Sequence, residues 1–180
     1  MSLPNKLSVL RILLAPAIVA CLVYYSPERD WLRFVALGFF SLGVVTDALD
    51  GIIARAQNSQ SQLGTILDPT ADKLLILSTL ISCSVIHGLP DGMRIPAWFN
   101  LVVLSRDALV VTGSVVLFMI RGRWSVQPNY LGKCTTVAQM MVIPTVLLGL
   151  PVKQPLLIAA TLLTALSGAS YVRMGLRVLD

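Results

Sequence analysis

Six apolar stretches, at roughly 7–25, 31–55, 65–87, 96–120, 134–150 and 154–177, decide what this chain can fold into. A helix needs about 20 consecutive, mostly apolar residues to cross the hydrocarbon of a bilayer. All but 134–150, the shortest, reach that length. The links between them (SPERD, QNSQSQ, GLPDGMR, GRWSVQPNYLGK and LPVKQP) carry the Pro, Gly, Ser and Asn that turns require. The chain is 56% hydrophobic and 13% charged, where a soluble domain carries about a quarter charged residues. The expectation is an all-α polytopic membrane protein with six transmembrane helices, forming one domain over residues 1–180.

The net charge of +5 does not point to nucleic acid, because the basic residues are scattered singly without the interleaved aromatics of a strand binder. They serve better as topology signals. Six spans put both termini on one side. Lys6, Arg11, Arg55, Lys73, Arg121, Arg123, Lys133, Arg173 and Arg177 fall on that face, and Arg29, Arg33, Arg94 and Lys153 on the other. Nine against four places the termini in the cytoplasm, and the bacterial inner membrane is the expected location. Ile18-Val19-Ala20-Cys21 resembles a lipoprotein cleavage box, but the apolar run continues to Tyr25 and reads as a retained helix. Cys21, Cys83 and Cys134 lack paired spacing and suggest neither a disulfide framework nor a zinc site. His87, the only histidine, ends the third segment on the far face, so a histidine base is not expected.

Against this apolar background, four of the nine acidic residues crowd into one stretch: Asp47, Asp50, Asp68 and Asp72. Ionisable groups near lipid are costly and mark function by default. Asp47 and Asp50 are i,i+3, and Asp68 and Asp72 are i,i+4, so each pair shares a helix face. Antiparallel helices joined by the polar turn around QNSQSQ would gather all four near one membrane surface. Four carboxylates cannot stay ionised together without counter-charge. Divalent cations, which prefer oxygen ligands, are the natural answer.

The full pattern is Asp-x2-Asp-Gly-x2-Ala-Arg-x8-Gly-x3-Asp-x3-Asp, filled by Asp47, Asp50, Gly51, Ala54, Arg55, Gly64, Asp68 and Asp72. It resembles the signature of the CDP-alcohol phosphotransferases (CDP-alcohol phosphatidyltransferases), integral membrane enzymes of phospholipid synthesis. The opening LPNKLSVLRILLAPAIV is similar to that family's first segment. The resemblance implies transfer of a phosphatidyl group from CDP-diacylglycerol to an alcohol, with release of CMP. It implies two Mg²⁺ or Mn²⁺ ions on Asp47, Asp50 and Asp68, with Asp72 as a partial ligand and as the general base. It also implies a homodimer. Asp50, Gly51, Ala54, Arg55 and Gly64 would hold the CDP-lipid. The small residues permit close approach, and Arg55 suits a pyrophosphate oxygen. Pro69 allows Asp68 a place near a helix start or a bend.

The acceptor is less sharply marked. Arg106 and Asp107 lie near the middle of the fourth segment. As sequence neighbours they do not share a face and are not expected to pair with each other. Arg106 either binds a phosphate of the second substrate or forms a buried ion pair with another helix. Lys133 either binds an acceptor phosphate or anchors to anionic headgroups. Gly132-Lys133-Cys134-Thr135-Thr136, followed by Gln139-Met140, resembles a Gly-Lys-x-Lys-Thr motif of phosphatidylglycerophosphate synthases, with Thr135 in place of the second lysine. Ser105-Arg106-Asp107 is closer to eukaryote-type cardiolipin synthases. Glycerol 3-phosphate is the expected acceptor, held by Arg106 and Lys133, and phosphatidylglycerol is the alternative. A cation transporter would place its ion site near the bilayer midplane within repeats. The acids here sit at one end of their segments, and no repeat is visible.

Overall fold

The computed structural model describes residues 3–57, 62–121 and 130–179. It is helical throughout, with α1 (Leu3–Val23), α2 (Trp31–Gln57), α3 (Gln62–Val85), α4 (Ala97–Arg121), α5 (Tyr130–Leu147) and α6 (Lys153–Leu179). Each of the six apolar stretches becomes one helix. The largest boundary differences are at the starts of α1 and α5, which begin four residues before the predicted 7 and 134. Short 3-10 turns occupy two of the predicted links, at Pro27–Arg29 and Asp91–Met93. Most of the second and fourth links, residues 58–61 and 122–129, lies outside the described residues.

Among the described residues, four helical stretches are long and apolar enough to cross a membrane: Lys6–Val23, Trp31–Leu49, Asp91–Val116 and Lys153–Met174. The other two helices fall short for identifiable reasons. Any stretch of α3 long enough to span contains Asp68, Asp72 and Lys73. The α5 helix has only 18 residues and carries Lys133, Thr135, Thr136 and Gln139 along it. Pro69 lies inside α3, so Asp68 sits within the helix rather than at its start.

The chain forms two compact units. The first comprises Met1–Ile95 with Val146–Gly149. In it α1 packs against both α2 and α3, which touch each other far less. The buried positions trace one stripe per helix. On α1 these are Ser8, Arg11, Leu14, Ala15, Ile18 and Leu22. On α2 they are Leu32, Ala36, Phe40, Gly43 and Thr46, and on α3 Ala71, Leu75, Ile76, Thr79, Leu80, Ser82 and Cys83. Each set recurs at three or four residues, the period of one helix face. The opposite faces are also apolar, as Val9 and Leu13 on α1 and Leu42 and Val45 on α2 illustrate. A helix that is hydrophobic all round suits lipid on one side and protein on the other. Where α2 meets α3, a methyl group added at Gly43 would lie 2.5 Å from Leu75 Cδ2. The absence of a side chain there permits the approach, as small residues do between membrane helices. Beyond α3, Arg94 ties the following link together by donating to the carbonyls of His87 and Leu89.

The second unit comprises Pro96–Thr145 and Leu150–Asp180. Here α4 packs on α6. Arg106, 8% exposed, donates to Asp107 Oδ1 at 2.8 Å and to Ser167 Oγ of α6 at 2.9 Å. Its guanidinium also lies 5.4 Å from the Tyr171 ring centre. This overturns the expectation that adjacent residues would not pair. Backbone direction alone does not decide the matter, because the long arginine stem can fold back to a neighbour's carboxylate. Gly132 brings the start of α5 to the same arginine, since a methyl group there would meet Arg106 Nη2 at 3.0 Å and Tyr171 Oη at 3.2 Å. Thr135 Oγ1 is directed at Leu131 O (2.8 Å) and at Leu163 O of α6 (3.1 Å). Gln139 Nε2 donates to Thr164 Oγ1 at 3.4 Å.

Two stability outcomes follow, both read as thermal midpoints in detergent. Gly43→Ile overpacks the contact with Leu75 and costs on the order of 2 kcal/mol. Gly38→Ala, with nothing within 4 Å of the new methyl, leaves the midpoint unchanged or raises it. Arg106→Gln strands a buried charge and costs on the order of 3 kcal/mol. Adding Asp107→Asn to that variant restores part of the loss, as expected of partners in one network.

Candidate active site

The acids lie where the buried stripes of the first unit turn polar. Asp47 continues the stripe of α2 four residues beyond Gly43, and Asp68 and Asp72 begin the stripe of α3 one turn before Leu75 and Ile76. Both helices therefore deliver carboxylates to the same α1 segment, the one containing Ser8 and Arg11. Arg11 Nη1 donates to Asp47 Oδ1, and Arg11 Nη2 lies 3.5 Å from Asp68 Oδ1. Ser8 Oγ donates to that same Asp68 oxygen. The two halves of the motif thus meet on one guanidinium.

Burial gives this cluster a direction. The Arg11 side chain is 0% exposed, whereas those of Asp47 and Asp68 are 39% and 34% exposed. The arginine closes the inner side and the carboxylates open outward. A fully buried guanidinium needs its counter-charges, and removing one partner of such a group costs about 3–5 kcal/mol. Asp72 completes the described part of the quartet. Its Oδ1 is buried and accepts no hydrogen bond among the described residues. A buried carboxylate oxygen in that state is expensive and calls for a proton or a cation.

The remaining motif residues are placed by their backbones only. Asp50, Gly51, Ala54 and Arg55 occupy the last turns of α2, and Gly64 the first turn of α3. Their side chains lie outside the described residues. Among the described residues no three His, Cys, Asp or Glu side chains form a group able to hold a metal. Asp50, which would join Asp47, Asp68 and Asp72, is one of those not described. The donor set is all oxygen, Asp72 contributes a buried oxygen that has no partner among the described residues, and the carboxylates face outward. These features fit a hard divalent ion.

Of the two acceptor candidates, Arg106 is buried in the second unit on the partners given above. Lys133 is exposed in the first turn of α5, next to the glycine that touches Arg106. A cavity of about 330 Å³ between α4 and α6 is lined by Leu101, Leu109, Ala165 and Val172, with Arg106 on its wall. Its apolar lining suits a lipid chain better than a nucleotide.

Sequence reasoning missed Ser8 as a site residue and took Arg11 for a topology signal. The clue was their i,i+3 spacing on the face that also carries Ala15, Ile18 and Leu22. No pattern in an all-apolar helix showed which face that was.

Comparison of the sequence with known proteins identifies a family. The family model for CDP-alcohol phosphatidyltransferase covers residues 1–166. A Mycobacterium tuberculosis protein provisionally named cardiolipin synthase is 39% identical over 83% of this chain, which spans 66% of that relative's length, just under two thirds. A second Mycobacterium tuberculosis protein, provisionally named phosphatidylglycerophosphate synthase, is 32% identical over 98% of this chain and 82% of its own length. The CDP-diacylglycerol–glycerol-3-phosphate 3-phosphatidyltransferase of Cereibacter sphaeroides is 32% identical over 82% of this chain and 64% of its own length. Apolar helices of spanning length, a gathered acid motif and a match along nearly the whole sequence agree: the chain is an integral membrane protein of the CDP-alcohol phosphatidyltransferase family.

Proposed function

We propose that residues 1–180 act as one catalytic domain that transfers the phosphatidyl group of CDP-diacylglycerol to glycerol 3-phosphate and releases CMP. The observation that carries this reading is the convergence of Asp47 and Asp68 on Arg11 beside the Oδ1 of Asp72, which has no partner among the described residues. A structural subunit has no use for such a cluster. A transporter would gain nothing from the accompanying Gly51, Ala54, Arg55 and Gly64.

In this reading Asp47, Asp50, Asp68 and Asp72 hold Mg²⁺ or Mn²⁺, two ions when the site is full. When bound, the ions supply charge neutralisation for the pyrophosphate and stabilise the departing CMP. The chain's own residues do the rest. Asp50, Gly51, Ala54, Arg55 and Gly64 hold the CDP portion. Arg106 and Lys133 bind the acceptor phosphate, supported by the approach of the α5 start to Arg106. Asp72 accepts the acceptor's hydroxyl proton as that oxygen bonds to the β-phosphorus and the bond from phosphorus to CMP breaks. Because CMP leaves readily, positioning and electrostatics carry most of the rate. Even with Arg11 set aside, the eight-to-four distribution of basic residues supports placing the site on the cytoplasmic side of a bacterial inner membrane. The family resemblance supports a homodimer.

One observation favours a second acceptor, phosphatidylglycerol, which would make the enzyme a cardiolipin synthase. Thr135 stands where phosphatidylglycerophosphate synthases carry a lysine. Its hydroxyl is committed to the Leu131 and Leu163 carbonyls, so that position offers a phosphate no cation.

CMP release from CDP-diacylglycerol, measured with a panel of acceptors and with Mg²⁺ and Mn²⁺ compared, tests the proposal. Glycerol 3-phosphate should support the fastest release. A preference for phosphatidylglycerol selects the second reading. Asp72→Asn should lower the rate about a thousandfold without lowering the thermal midpoint. Undiminished CMP release from that variant would remove Asp72 as the base.

A further inference from the structure

We infer that α1 is the outer shell of the cation site, with Ser8 and Arg11 as positioning residues that hold Asp47 and Asp68 from the buried side. This rests on the reading of the acid cluster as a divalent-ion site. It assigns to a third helix a function that the acid motif on α2 and α3 does not contain.

Three contacts make the case. Ser8 Oγ and Arg11 Nη2 both address Asp68 Oδ1, and Arg11 Nη1 addresses Asp47 Oδ1. The contacts described thus use one oxygen of each carboxylate and come from the inner side. Ser8 and Arg11 are both 0% exposed, and the carboxylates remain about a third exposed on the other side. Groups that fix a ligand's orientation without touching the ion commonly set metal affinity. The packing points the same way. Since α2 and α3 touch α1 far more than each other, the relative placement of their acids runs through α1.

A guanidinium could instead act as a stand-in cation that competes with the ion. Ser8 argues against this, because a neutral hydroxyl grips the same Asp68 oxygen and cannot compete as a charge. The two roles predict opposite signs. Removing a competitor tightens cation binding, and removing a positioning group weakens it.

The test is Mn²⁺ binding to the full chain in detergent without nucleotide, followed by electron paramagnetic resonance, with thermal midpoints in chelator to confirm folding. Ser8→Ala should weaken Mn²⁺ about tenfold. Ser8→Thr, which keeps the hydroxyl, should retain wild-type affinity. Arg11→Lys keeps the charge but loses the two-pronged fork, and should also weaken binding. In turnover, Ser8→Ala should raise the Mn²⁺ concentration for half-maximal CMP release by a similar factor. Unchanged affinity in Ser8→Ala, or tighter binding in Arg11→Lys, overturns the role of α1 while leaving the metal reading intact. No saturable Mn²⁺ binding by the wild type, with Asp47→Asn indistinguishable from it, overturns both.

Discussion

A single buried guanidinium organises the first half of this protein. Arg11 has no exposure, so its charge must be answered inside the bundle, and Asp47 and Asp68 answer it from two other helices. In a membrane protein this pairing does what a hydrophobic core does in water. Lipid tails are as apolar as leucine, so burying leucine between helices confers little preference for any particular neighbour. An unanswered arginine at that depth is far more costly and is tolerated only in one arrangement. The same ion pairs that fix α1 against α2 and α3 also deliver the acids of the motif to one place.

The second unit uses the same device with different parts. Arg106 reaches Ser167 and Tyr171 of α6 while pairing with its neighbour Asp107. Thr135 and Gln139 add polar links from α5 to α6. Glycines then set how near the helices come. Gly43 admits Leu75, and Gly132 admits the Arg106 guanidinium. Polar links choose the partner and small residues set the distance, which is the division of labour expected where the hydrophobic effect cannot choose.

Much of this was legible in the sequence. The six helices follow from apolar length, and the meeting of Asp47 with Asp68 follows from the spacing of the acids on α2 and α3. The face each helix turns inward was not. On α1, Val9 and Leu13 face outward while Leu14 and Ile18 face inward, and both sets are apolar. Periodicity therefore carries no signal in a chain that meets lipid on one side and protein on the other. Arg11 was misjudged for that reason, since an arginine near a helix end looks like an interface anchor until its face is known. The Arg106–Asp107 pair failed differently. The spacing rule describes where side chains leave the backbone, and a long guanidinium stem can return to the adjacent residue.

The position of the polar groups along their stripes bears on how the proposed transfer would meet a lipid. On α1 the polar members, Ser8 and Arg11, precede the apolar ones. On α2 Asp47 follows them, and on α3 Asp68 precedes them all and Asp72 all but Ala71. Since α1 touches all three acids' helices and pairs with two of the acids directly, the polar ends of the stripes coincide within this unit. One end of the bundle therefore stays dry, and the other can hold charge. A donor with two acyl tails and a nucleotide head presents the same division, with hydrocarbon on one side and pyrophosphate on the other. Such a site need not extract the lipid, because headgroup and acids can meet while the tails remain among lipids. Placing the arginine on the dry side also resolves the electrostatic conflict. It steadies the carboxylates from behind and leaves their exposed sides open, where the proposed cation would bind.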